Sequence, residues 1–107
     1  DSSIQTIEEI HGFITENLSE RYTIDELSAR FHINKTTLKQ AFKSAYGLPI
    51  AAYMKEYRIK KAMELLLNSD SSIAEISESI GYENQSKFTQ AFKDITGILP
   101  KDYRKSN

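Results

Sequence analysis

Gln40 and Gln90 stand in the same four-residue phrase, Gln-Ala-Phe-Lys, fifty residues apart, and each has hydroxyl and ammonium groups around it at helical spacing. Thr36, Lys39, Gln40 and Lys43 are matched by Ser86, Thr89, Gln90 and Lys93: hydroxyl with hydroxyl, Lys with Thr, Gln with Gln, Lys with Lys. Such groups form hydrogen bonds without breaking covalent ones. Their natural partner is a surface that displays donors and acceptors in a fixed order, and the major groove of duplex DNA is one. There Gln can pair with adenine through two hydrogen bonds, Lys can reach guanine, and Ser or Thr can serve either. Lys35, Lys43 and Lys93 suit phosphate contacts, which set register without reading bases.

Catalytic groupings are missing from the pattern. The chain has no cysteine, its two histidines, His11 and His32, stand apart, and neither a metal-ligand cluster nor a glycine-rich phosphate loop is present. Both histidines read as surface or turn residues, and the expectation is a non-enzyme that needs no cofactor or metal. Tyr46, Tyr53, Tyr57, Tyr82 and Tyr103 recur at helical spacing, which favours packing over a stacking platform for single strands. The rival reading is a helical protein-interaction bundle whose Lys/Gln faces are merely solvated.

The elements that must position these side chains are helices. On a wheel of about 100° per residue, Leu38, Ala41, Phe42 and Ala45 form one apolar stripe and Phe88, Ala91, Phe92 and Ile95 its counterpart. That places the polar residues on the opposite faces. Asn34 and Asn84 are positioned to cap these helices. Upstream, Thr23-Ile24-Asp25-Glu26 and Ser72-Ile73-Ala74-Glu75 are capping boxes opening short helices whose Leu27 and Phe31, or Ile76 and Ile80, face inward. Gly81 suits a left-handed turn, and His32 takes the matching place in the first copy. The register between copies slips from 49 to 50 residues across the turn, so the second turn carries one extra residue.

Ile4, Ile7, Ile10, Ile14 and Leu18 predict a leading helix, with Thr6 and Glu9 placed for a capping box. Pro49 suits a helix's first turn, and Ile50, Tyr53, Tyr57, Ala62, Leu65 and Leu66 continue a stripe to Asn68, a rod of roughly 27 Å. Pro100 starts a last short helix carrying Tyr103. The prediction is an all-α domain, 1–107, of seven helices: a first helix-turn-helix subdomain over 4–47, a linker helix over 49–67 and a second subdomain over 72–106. A short helix, tight turn and longer helix with a polar outer face is the arrangement whose second helix enters the major groove.

The 107 residues carry a net charge of −1, with 39% hydrophobic and 27% charged residues. No apolar run approaches a membrane span, so no membrane partner is expected. The charges are segregated. Residues 31–61 hold seven basic and one acidic side chain and 87–107 five basic and two acidic, whereas 1–30 hold seven acidic and two basic and 62–86 five acidic and no basic. Positive charge thus gathers on the second helix of each copy and beyond it, where a local field can steer phosphate.

The run Gly81-Tyr82-Glu83-Asn84-Gln85-Ser86-Lys87-Phe88-Thr89-Gln90-Ala91-Phe92-Lys93, followed by Gly97, Pro100 and Tyr103-Arg104, resembles the signature of the AraC/XylS family of bacterial transcription regulators. The resemblance extends over nearly the whole chain, including Gly47, Pro49, Tyr53, Arg58, Ala62 and Leu66. It implies two helix-turn-helix subdomains joined by a rigid helix, sequence-specific binding to double-stranded promoter DNA, and activation through contact with RNA polymerase. Carried over position by position, it assigns base contacts to Thr36, Lys39 and Gln40 and to Gln85, Ser86, Lys87, Thr89 and Gln90. It also implies a cytoplasmic, nucleoid-associated protein whose DNA-binding domain is itself monomeric. The start at Asp1 fits a chain trimmed to that domain, with sensing or oligomerisation carried by an absent N-terminal domain; the alternative is a family member that consists of this unit alone.

Overall fold

The computed structural model describes residues 2–106 as seven helices: α1 (Ser2–Glu16), α2 (Ile24–Phe31), α3 (Lys35–Tyr46), α4 (Ile50–Asn68), α5 (Ile73–Ser79), α6 (Gln85–Thr96) and α7 (Pro100–Lys105). No strand occurs among the described residues. The chain divides between Met54 and Lys55 into two compact units, a boundary that falls within α4.

In the first unit α1 packs on α2 and α3, and α2 on α3. Ile7, Ile10 and Ile14 fall on one stripe of α1 and are buried with Leu27, Leu38, Phe42 and Met54. Each such side chain contributes about 1.5–3 kcal/mol by leaving water. Two sequence expectations fail on α1. The helix already runs from Ser2, so Thr6 and Glu9 lie in its interior and do not open it. Ile4, although in phase, is 60% exposed because the core starts one turn later. Leu18 lies beyond the end of α1 at Glu16 and still packs against the core.

His11 departs from the surface role expected of it. Its ring is half-buried, stacks on Tyr46 with centroids 4.3 Å apart, and its Nε2 lies 2.8 Å from the Tyr53 hydroxyl. Burial pushes the imidazole pKa below its ordinary value.

The second unit holds the remainder of α4 with α5, α6 and α7, α6 packing on both α5 and α7. Its buried apolar side chains are Ile59, Ala62, Leu66, Ile76, Ile80, Phe88, Ala91 and Phe92. The α4 stripe differs from expectation: Tyr53, Tyr57 and Leu65 are only half-buried, whereas Met54, Arg58 and Ile59 are buried. A helix that contributes to two units buries different faces along its length, so one continuous stripe does not describe it. Pro49 stands just before the helix, and its carbonyl accepts from the Tyr53 amide at 2.9 Å. Pro100 does occupy the first turn of α7.

Both short helices open as expected. Thr23 and Glu26 exchange side chain-to-backbone hydrogen bonds of 2.9 and 3.0 Å, and Ser72 and Glu75 do so at 2.8 and 3.0 Å. The turns that follow match in their backbone bonds, while their serine hydroxyls reach carbonyls at different places. The Ser28 hydroxyl donates to the Ile33 carbonyl, and the Ser77 hydroxyl, 1% exposed, donates to the Asn84 carbonyl at 3.3 Å. The amides of Ile33 and Tyr82 return to the carbonyls of Ser28 and Ser77 at 3.1 and 3.0 Å. The register of these bonds places the extra residue of the second turn after Tyr82, next to Glu83.

His32 has φ 53° and Gly81 φ 90°, so the first turn takes the same left-handed step without glycine. A side chain there costs roughly 1–2 kcal/mol, offset in part by the chain entropy that glycine would lose. His32→Gly is therefore expected to stabilise the first unit by about 0.5–1 kcal/mol, read as a raised thermal midpoint. A lowered midpoint would mean that the imidazole contributes more than its backbone strain costs.

Candidate nucleic-acid interface

Each candidate reading helix starts at an asparagine cap. Asn34 Oδ1 accepts from the amides of Thr36 and Thr37 at 2.8 and 3.3 Å, and Asn84 Oδ1 accepts from the amide of Lys87 at 2.9 Å. Both helices end on a glycine in the left-handed region, Gly47 and Gly97, whose amides bond the carbonyls of Lys43 and Lys93. Leu38 and Phe42 anchor α3 in its core, as Phe88, Ala91 and Phe92 anchor α6. The cap sets the first residue and the buried stripe sets the rotation, which together determine what faces solvent.

On α3, Lys35, Thr36, Lys39, Gln40 and Lys43 are all exposed. On α6, Gln85, Ser86, Lys87, Gln90 and Lys93 are exposed, but Thr89 is half-buried. Thr89 and Gln85 line a shallow groove with Ile73, Leu99, Pro100 and Lys101. Thr89 therefore stands on the flank of the face rather than at its centre. Its short side chain stays against the start of α7, whereas the longer Lys39 at the equivalent place in α3 is exposed. Ala45 and Ile95, expected on the inner stripes, are exposed, with Ile95 at 41%. Burial ends before the last turn of each helix, so helical phase overstates the length of the stripe.

The structure adds a feature the sequence reading missed: carboxylates hold several of these residues. Lys35 Nζ lies 2.8 Å from Asp25 Oδ1, and Lys87 Nζ lies 2.8 Å from Glu83 Oε2. Gln90 Nε2 donates to Asp94 Oδ1 at 2.9 Å, and Lys55 Nζ on α4 donates to Asp94 Oδ2 at 3.2 Å. The Lys35 hydrogen bond and charge hold Asp25 below the usual carboxylate range, with a smaller contribution from Lys39. Lys87 acts likewise on Glu83, and hydrogen bonds first from Gln90 and then from Lys55 lower Asp94. All three therefore stay ionised at neutral pH and act only as acceptors. Gln90–Asp94 was legible as a four-residue helical spacing, whereas Glu83 lies before the Asn84 cap, outside α6. Asp25–Lys35 and Lys55–Asp94 join different helices, and no local pattern announces them.

Within the described residues no group of three or more His, Cys, Asp or Glu side chains could hold a metal ion, and no helix is long and apolar enough to cross a membrane. The faces offer hydrogen-bond donors, acceptors and exposed ammonium groups, the chemistry of reading a groove and gripping a backbone.

Residues 27–106 match the family model of a helix-turn-helix domain. The chain is 35% identical over 98 residues to the HTH-type transcriptional regulator ExsA of Pseudomonas aeruginosa, covering 92% of this chain and 35% of that one. It is 33% identical over 97 residues to the virulence regulon transcriptional activator VirF of Yersinia enterocolitica, covering 91% and 36%. The chain thus spans about a third of the length of these relatives. Among solved structures it resembles the DNA-binding domain of the global transcriptional factor AdpA in complex with a target DNA. That match has a TM-score of 0.87 and 25% identity, covering 94% of this chain and 90% of that one.

Proposed function

The chain belongs to the AraC/XylS family of DNA-binding transcription regulators, and on that premise we propose that α3 and α6 are its two recognition helices, each entering a major groove of promoter DNA. The observation that carries this reading is the pair of exposed faces of matched chemistry, each set by an asparagine cap and a buried aromatic stripe. Thr36, Lys39 and Gln40 read bases in one block. Gln85, Ser86, Lys87, Thr89 and Gln90 read them in the other, with Thr89 working from the flank. Lys35, Lys43 and Lys93 grip phosphate. The subdomains at 4–47 and 72–106 and the linker at 49–67 divide the work. No catalytic step is involved.

The family relationship to VirF, described as a transcriptional activator, supports activation, and contact with RNA polymerase is its proposed route. A monomeric DNA-binding domain, with sensing or oligomerisation elsewhere in a longer cytoplasmic protein, belongs to the same reading.

Selection from a random duplex library at two salt concentrations tests it. Enriched sites should carry two blocks about one helical turn apart, and binding should fall steeply with salt. Gln90→Ala is expected to relax base preference in one block and Gln40→Ala in the other, each costing about 1–3 kcal/mol at the preferred site. Lys93→Ala should weaken all sites alike and reduce the salt slope by about one. No bipartite enrichment would overturn the reading, and altered base preference in Lys93→Ala would overturn the phosphate assignment.

A further inference from the structure

Asp94 holds the Gln90 amide with one carboxylate oxygen while Lys55 holds the other. From this geometry we propose that Asp94 is a positioning residue for base recognition, fixing the Gln90 amide in the orientation that presents an adenine-reading edge. The inference rests on α6 being a recognition helix.

An ionised carboxylate only accepts hydrogen bonds, so only the –NH2 end of the amide can face it. A primary amide has two N–H bonds. With one given to Asp94, the other remains beside the carbonyl oxygen, forming the donor and acceptor pair that matches adenine N7 and N6–H. The reversed amide would point its carbonyl oxygen at a carboxylate and is repelled. Without that carboxylate the terminal torsion of Gln is broad and nearly two-fold, and the turned amide can offer its donors to guanine O6 and N7. The Asp94 and Lys55 side chains are 44% and 42% exposed, so in water their pairing is weak. Seating in a groove excludes water and strengthens the whole network.

The first unit supplies a natural contrast. Fifty residues before Asp94 stands Ser44, whose hydroxyl both donates and accepts and so does not select one amide orientation at Gln40.

Library selection with Asp94→Ser, Gln90→Ala and the double variant tests the proposal, with binding to an unrelated duplex as the second readout. Asp94→Ser is expected to lower the preference for adenine over guanine in the α6 block by a factor of about three to ten. The α3 block should not change. Unrelated duplex should bind at least as tightly, because a negative charge is removed from the proposed DNA-binding face, whereas a merely structural defect would weaken every site. In the Gln90→Ala background Asp94→Ser should alter base preference no further. If Asp94→Ser lowers the thermal midpoint, the near-isosteric Asp94→Asn serves instead. Its amide offers donor and acceptor alike, so the same loss of preference is expected. Unchanged preference in the Asp94 variant, where Gln90→Ala does relax it, overturns the inference and leaves the recognition reading standing. Unchanged preference in Gln90→Ala overturns both.

Discussion

Phe92→Ala is expected to destabilise the second unit by about 3–5 kcal/mol, the cost of losing a fully buried ring and leaving a cavity. Phe92 is 0% exposed, and its ring lies 5.8 Å from that of Phe88 and 5.6 Å from that of Tyr103, both in edge-on contact. It therefore joins α6 to α7 as well as filling the core. A loss of that size is a large fraction of the whole stability of a small unit, so α6 should melt well below the parent chain's transition. Thermal unfolding followed by circular dichroism should show an early transition absent from the parent chain, with the first unit's transition kept. Phe92→Leu conserves more volume and should cost about 1.5 kcal/mol or less. An unchanged melting profile in Phe92→Ala would mean that the rotational phase assigned to α6, and with it the identity of its outer face, is wrong.

Arg104→Ala is expected to cost about 2–4 kcal/mol, because a charged group donating to two carbonyls is lost at once. Arg104 Nε donates to the Leu66 carbonyl at 3.0 Å and Nη2 to the Ser69 carbonyl at 3.2 Å. Leu66 lies in the last turn of α4, where carbonyls have no partner within the helix and a positive charge is favoured. One side chain thus caps α4 and fastens α7 to it. Arg104→Lys should recover little, since a single ammonium cannot span both carbonyls as the planar fork does. Thermal melts of both variants check this. Full recovery in Arg104→Lys would show that charge alone is at work.

Arg104 also shows how far local pattern reaches. Its place after Tyr103 is visible in the sequence and in the family resemblance, but its two acceptors lie 38 and 35 residues upstream. The capping boxes at Thr23 and Ser72 and the asparagine caps at Asn34 and Asn84 were readable because donor and acceptor lie within one helical turn. The inward set of α3 and α6 was readable at Leu38, Phe42, Phe88 and Phe92 for the same reason: helical phase is a local property. It failed at Ile4, Ala45 and Ile95, where the phase is right but nothing packs over the end of the stripe. His11 failed in the opposite direction. A polar ring looks like surface until Tyr46 and Tyr53 close around it.

The sequence by itself determined the seven helices, the starts of α2, α3, α5, α6 and α7, the duplication and most of the residues of α3 and α6 that face outward. Caps, turns and amphipathic spacing act over a few residues, and their energies are set by neighbours in the chain. Tertiary structure alone decided where each apolar stripe ends and which outward side chains meet across helices. Lys35 meets Asp25, Asp94 lies between Gln90 and Lys55, and Arg104 reaches the end of α4. A salt bridge between helices depends on how they cross, and the crossing is set by the packed core as a whole.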